Sequence, residues 1–213
     1  RRPSALMAEH RSDDIWDAVC AAVRGALAAS GARADQVAAV GFGATCSLVA
    51  MDAAGAPVPI GVDGAEGWDT VAWCDHRAGE EAREADASPE MQIPKLMWLK
   101  RRLPQAWARA AHVFDLADFL TWRATGADAR SACTMTCKWN WGADGTAPDA
   151  LLHRRGLADL PARAGLRAGV VPVGRPVGRL RPEAAAALGL QPGCVAAAGM
   201  IDAYAGALGV LGG

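Results

Sequence analysis

Apolar positions recur along the chain in two rhythms. Ile15, Trp16, Val19, Cys20, Val23 and Leu27 fall on one face at helical spacing. Ser12-Asp13-Asp14 ahead of them supplies a capping hydroxyl and two carboxylates for the positive end of the dipole, and Gly31 is placed to stop the helix. The pattern predicts an amphipathic helix lying on a sheet. Short apolar runs at 37–42 and 47–51 read as strands, the second followed by turn residues at 52–57, and together they predict a hairpin. The run 70–74 predicts a strand that delivers Asp75, His76 and Arg77 at its carboxyl end, ahead of a helix over 78–87. Pro94 and Pro104 open further helices, and a brief strand at 112–114 precedes a helix over 116–124 that Gly126 ends. Residues 130–141 show no clean period and read as extended and turn segments. The stretch 147–160 is weakly helical and 169–178 reads as loop or edge strand. A short helix follows, opened by Pro182 and stopped by Gly189. The run 194–198 is a buried strand, and Gly199-Met200-Ile201-Asp202 turns into a small-residue helix over 203–208. Strands alternate with helices, which is the α/β class. There is no internal repeat and no low-complexity linker.

Composition narrows the picture. The chain is 213 residues long, 52% hydrophobic and 21% charged, with 22 Lys and Arg against 23 Asp and Glu. A net charge of -1 gives no footprint for gripping nucleic acid or an anionic membrane surface. No run approaches the ~20 apolar residues of a membrane helix, so a soluble cytoplasmic protein is expected. The six cysteines are scattered through a chain large enough to build its own core and read as reduced small hydrophobes. With alanine abundant, Trp16, Trp73, Trp98, Trp107 and Trp122 are expected to carry much of that core. Both ends look cut: the chain opens without Met and stops shortly after a strand-to-helix turn.

The strongest chemical signal is the stretch 198–209, where Asp202 stands at the junction of a buried strand and a helix among residues too small to screen it. The helix end favours the carboxylate form, so Asp202 suits a general base; capping the helix is the competing role. Asp75, His76 and Arg77 offer an acid, an imidazole and a guanidinium in succession. Successive strand residues point to opposite faces, so the three reach one ligand only if the chain has already left the strand. A cap plus a surface ion pair is the alternative. Lys138 is a lone cation among small polar and apolar neighbours; solvent exposure is the default for a lysine, and the Cys137 and Trp139 flanks favour a polar pocket instead. Cys133 and Cys137 form one loose Cys-x-x-x-Cys without a second ligand pair, so no metal site is expected. Gly41 to Ser47 lacks the phosphate-loop pattern and reads as a close-approach bend between strands.

Taken in order, the segments 41–49, 73–78, 95–100, 114–126, 130–139 and 199–206 resemble the FGGY carbohydrate kinases, most closely their D-ribulokinase-like branch. The resemblance implies a ribonuclease-H-like lobe of the actin/hexokinase type, a mixed sheet flanked by helices. It implies that residues 1–213 are most of the first, sugar-binding lobe, without the amino-terminal Asp-x-Gly-Thr hairpin and without the adenine-binding lobe. It matches Asp202 to the catalytic aspartate that accepts the proton of the attacking sugar hydroxyl, and Lys138 to a sugar-contacting lysine. Cys46, with Thr45, falls in the bend that lines the sugar pocket, and Asp75, His76 and Arg77 match a signature segment of the branch. MgATP is the implied co-substrate, a small-molecule sugar the acceptor and a homodimer the implied assembly. D-ribulose leads, ahead of L-ribulose, xylulose and ribitol. The chain alone is expected to turn over poorly, and a non-catalytic sugar binder or truncated remnant is the alternative.

Overall fold

The computed structural model describes residues 1–166 and 169–212. After β1 (Glu9–His10) and α1 (Ser12–Ser30) come three strands, β2 (Ala39–Ala44), β3 (Leu48–Met51) and β4 (Thr70–Val71). Three helices follow, α2 (Gly79–Ala85), α3 (Gln92–Arg102) and α4 (Pro104–Arg109). Two strand-helix units come next, β5 (His112–Asp115) with α5 (Leu116–Thr125) and β6 (Arg130–Ser131) with α6 (Ala132–Lys138). The remainder is α7 (Asp149–Arg154), α8 (Leu160–Arg163), β7 (Val170–Val171), β8 (Pro176–Arg179), α9 (Pro182–Leu188), β9 (Val195–Ile201) and α10 (Asp202–Leu211).

The expected hairpin is not formed. β2 runs parallel to β9 in a sheet ordered β2-β9-β8, whereas β3 lies between β4 and β5 in an antiparallel sheet ordered β1-β4-β3-β5. Two adjacent apolar runs do not specify pairing with each other; here the bend at residues 45–47 hands the chain from one sheet to the next. Where β2 and β9 meet, the register shifts between Gly41 and Gly43, and a Cβ on Gly199 would lie 2.1 Å from the Phe42 carbonyl oxygen. Only glycine permits that approach.

Two further expectations are corrected. Ser12 is the first residue of α1 rather than its cap: its N–H and hydroxyl both donate to buried Asp69. The aperiodic stretch 130–141 contains a helix, α6, whose start is set by side chains. Ser131 caps it by accepting from the Cys133 N–H at 3.2 Å, and Asp118 accepts from the Ser131 N–H at 2.8 Å and the Thr134 hydroxyl at 2.6 Å. A helix held by tertiary hydrogen bonds needs no amphipathic period.

Two hydrophobic clusters fill the interior. One gathers Leu96, Met97, Leu99, Trp107, Met135 and Trp139, the other Trp16, Phe42, Phe114, Phe119, Leu120 and Leu188. Trp16, Trp98 and Trp107 are buried as expected, but Trp122 is only half-buried and Trp73 is 42% exposed; Trp139 and Trp141 take their places in the core. α10 leaves Tyr204, Leu208, Val210 and Leu211 exposed.

Candidate functional site

A cleft of about 470 Å³ opens where four segments of the chain meet. The bend after β2 supplies Thr45 and Cys46, the turn after β4 supplies Trp73, the last turn of α6 supplies Cys137 and Lys138, and the junction of β9 with α10 supplies Ile201, Asp202, Ala203 and Tyr204. Glu90 closes one side. Four residues singled out from sequence, Thr45, Cys46, Lys138 and Asp202, thus line one cavity. Trp73, Glu90 and Tyr204 were not singled out for it; an exposed tryptophan flanking a turn in a tryptophan-rich chain carries no local mark that separates it from a core one.

Each wall is held by an identifiable bond. The Thr45 hydroxyl lies 3.0 Å from that of Ser47, and Ser47 Oγ accepts from the Trp73 N–H at 3.1 Å, which joins the bend to the Trp73 turn. The Ser131 hydroxyl donates to the Gly199 carbonyl at 2.6 Å, tying the start of α6 to β9. Asp202 is the first residue of α10 and is exposed to the cleft; its Oδ1 accepts from the Ala203 N–H at 2.9 Å, and Oδ2 has no partner among the described residues. Lys138, half-buried, makes no ion pair among the described residues. Burial pushes the Cys46 thiol up, as does the charge of Asp115, while the nearby Lys138 ammonium opposes both. A protonated, 5% exposed thiol is a wall rather than a nucleophile.

Asp75, His76 and Arg77 are placed elsewhere. β4 ends at Val71, so the three sit in a turn rather than at a strand terminus. Arg77 is buried, its guanidinium donating to Asp75 at 2.8 Å and to Glu9 at 2.7 Å, and it lies 5.0 Å from the Trp98 ring. Asp75 also accepts from the Ala8 N–H at 2.7 Å. Burial works to raise the Glu9 carboxyl, but donors from Val62, Arg1 and Arg77 outweigh it and hold the group below the usual carboxylate range. All the charges there are mutually satisfied, so none is left for a ligand. Neither a surface ion pair nor a substrate contact describes this pair; it is a buried brace. His76 points the other way and pairs with Glu90 at 3.2 Å, one residue removed from the cleft wall.

A larger cavity of about 690 Å³ lies between α1, α5 and α9, lined by Trp16, Trp122, Arg123 and Arg181 among others. Two of its charged groups are spent on structure, Arg123 on Asp13 at 2.7 Å and Asp128 on Arg130 at 2.5 Å. Size alone therefore does not mark it as the site. Among the described residues no three His, Cys, Asp or Glu side chains cluster closely enough to hold a metal ion, and no helix is long and apolar enough to cross a membrane.

The chain is 40% identical over 221 residues to an FGGY carbohydrate kinase domain-containing protein of Homo sapiens, covering 96% of this chain and 40% of that one. It is 34% identical over 229 residues to a D-ribulokinase of Saccharomyces cerevisiae, covering 94% of this chain and 32% of the relative. The chain spans about two fifths or less of the length of these curated relatives. No protein-family model matches it. Among solved structures, a ligand-bound xylulose kinase from Lactobacillus acidophilus superposes with a TM-score of 0.80 at 16% identity, covering 99% of this chain and 43% of that one. A xylulose kinase from Rhodospirillum rubrum gives 0.76 at 22%, covering 98% and 43%. These likenesses establish the fold as ribonuclease-H-like.

Proposed function

The chain belongs to the FGGY carbohydrate kinase family, and on that premise we propose that it is the sugar-binding lobe of an enzyme that phosphorylates a ketopentose or pentitol, D-ribulose before others, at the expense of MgATP. The observation that carries this reading is the convergence of Lys138, Cys46 and Asp202 on one cleft whose volume suits a small-molecule site.

In this reading a sugar hydroxyl lies against the free Oδ2 of Asp202. That oxygen takes the hydroxyl proton as the sugar oxygen bonds to the γ-phosphorus and the bond from phosphorus to the β-γ bridging oxygen breaks, releasing ADP. Phosphoryl transfer has a loose transition state, so positioning contributes more than the strength of the base. The Ala203 N–H fixes the carboxylate through its other oxygen. Lys138 donates to sugar hydroxyls, Trp73 offers an apolar face for carbon–hydrogen edges, and the Thr45–Cys46 bend bounds the end of the cleft. Magnesium enters this reading as part of the co-substrate MgATP, bound to the nucleotide phosphates.

The name of the yeast relative favours D-ribulose. ADP release by the protein that carries this chain, measured with MgATP across D-ribulose, L-ribulose, xylulose and ribitol, tests it: D-ribulose should give the highest kcat/KM. Asp202→Asn should lower kcat by about 10²–10⁴-fold, the usual worth of a positioned base, and leave sugar binding within a few-fold. Retained turnover removes Asp202 as the base; sugar binding without turnover in the unaltered protein leaves the non-catalytic reading.

A further inference from the structure

Beneath the cleft lies a layer of polar side chains that never reaches the cavity. Gln92 and Lys95 stand three residues apart on the first turn of α3, one above the other, and each is no more than 1% exposed. Lys95 Nζ donates to the Ala72 and Trp73 carbonyls, both at 3.0 Å. Gln92 Nε2 donates to the Cys46 carbonyl at 3.0 Å and also to Asp115. Asp115, 1% exposed at the junction of β5 and α5, in turn accepts from the Trp139 indole N–H at 3.0 Å, and Trp139 follows Lys138 directly. Every wall of the cleft that carries a proposed sugar contact, apart from Asp202, is thus fastened from below by one of three buried groups.

The arrangement is costly unless it does something. A buried amide, ammonium and carboxylate each give up water, and an apolar layer of the same volume would fold at least as well. Gln92 Oε1 has no partner among the described residues, so the amide is oriented by what its nitrogen donates to. With its two donors facing Cys46 and Asp115, Gln92 spaces the bend relative to the strand-helix junction that also holds Trp139.

We propose that Gln92 and Asp115 act as a positioning pair that sets the separation between the Cys46 bend and Lys138, and thereby the affinity for the sugar, without touching it. The proposal rests on the cleft being the sugar site. Gln92→Met keeps length and removes both donors. Asp115→Asn keeps shape and still accepts from Trp139, but it turns a donor toward Gln92; the Gln92 amide then rotates and sets Oε1 against the Cys46 carbonyl. Either change should weaken D-ribulose binding by roughly tenfold, the worth of one buried hydrogen bond and the shift it permits. The double variant should bind no more weakly than either single one, because both act through one link. Leu188→Val, in the other hydrophobic cluster, is the control for stability lost without effect on the cleft.

The experiment is calorimetric titration of D-ribulose into the protein that carries this chain and into these variants of it, alongside the alkylation rate of Cys46 followed by peptide mass spectrometry. A tenfold rise in Kd for Gln92→Met and Asp115→Asn, unmatched by Leu188→Val at equal loss of thermal midpoint, supports the pair. Unchanged Kd overturns it. Should the unaltered protein bind no pentose, the sugar reading fails by itself, and the alkylation rate decides the positioning claim: a several-fold faster Cys46 in both variants supports it, an unchanged rate overturns it. Should Gln92→Met fail to fold, Asp115→Asn carries the same outcomes.

Discussion

Two polar constellations in this molecule look alike in sequence and differ in what they can do. Asp75 and Arg77 with Glu9 form a cluster in which every charge has an opposite charge or a backbone donor within hydrogen-bond distance and no water reaches the side chains. Asp202 and Lys138 stand in an open cleft, one carboxylate oxygen free and the ammonium without an ion pair among the described residues. Saturation is the difference. A satisfied buried network braces the fold and has nothing left to offer a ligand, whereas polar groups held in place but left unpaired can bind one.

The comparison breaks most visibly on removal of Arg77. Arg77→Ala leaves the buried Asp75 carboxylate without its cation and Glu9 with Arg1 alone as a counter-charge, and should cost about 3–5 kcal/mol, seen as a large drop in thermal midpoint. A loss under about 1 kcal/mol would mean that the brace is solvated and the contrast false. On the other side, Lys138→Met should leave the thermal midpoint nearly unchanged while weakening D-ribulose binding by about 1.5–3 kcal/mol, the range for a hydrogen bond from a charged donor. An altered midpoint with unaltered binding would reverse the roles of the two clusters.

A third, smaller effect concerns pH. Burial, then the like charge of Asp118, pushes the Asp115 carboxyl up to about 7, and burial pushes Asp118 up to about 6. A carboxyl raised in the folded state binds a proton there that the unfolded chain releases. Its contribution is full below about pH 4 and is lost as pH rises through the folded value. His10, lowered by burial, works in the opposite direction over part of that range, and Lys95, lowered to about 8, acts only above it. Asp115→Asn should therefore flatten the fall in stability between pH 5 and 8 by on the order of 1–2 kcal/mol, read from urea midpoints. Parallel curves for the two proteins would contradict it. Smallest of all, His76→Ala removes a half-exposed pair with Glu90 and should change stability by less than about 1 kcal/mol; a larger loss would place His76 with the brace.

Much of this was legible. Gly31, Gly126 and Gly189 stop their helices with φ of 69°, 80° and 72°, where the pattern puts the ends. Alternation along a strand would have kept Asp75, His76 and Arg77 from one ligand, but the chain has left β4 before it reaches them; burial separates them instead, with Asp75 and Arg77 paired inside and His76 set against Glu90. Asp202 at a strand-helix junction was visible because small residues surround it. What could not be read was pairing and burial. α6 has no hydrophobic period because Ser131 and Asp118 hold it, and the false hairpin arose because sheet membership of β2 and β3 is decided by β9 and β5, far along the chain. Gln92, Lys95 and Asp115 carry no mark in sequence, since a buried polar residue is defined by partners that only folding brings near.

Backbone amide spectra recorded while D-ribulose is titrated into the protein that carries this chain show whether the open cleft, and not the saturated brace, takes the sugar. The account predicts shifts concentrated at Thr45, Cys46, Trp73, Lys138 and Asp202, with Asp75 and Arg77 silent. Shifts centred instead on the cavity between Trp16 and Arg181, or at the Glu9–Arg77 brace, would contradict it.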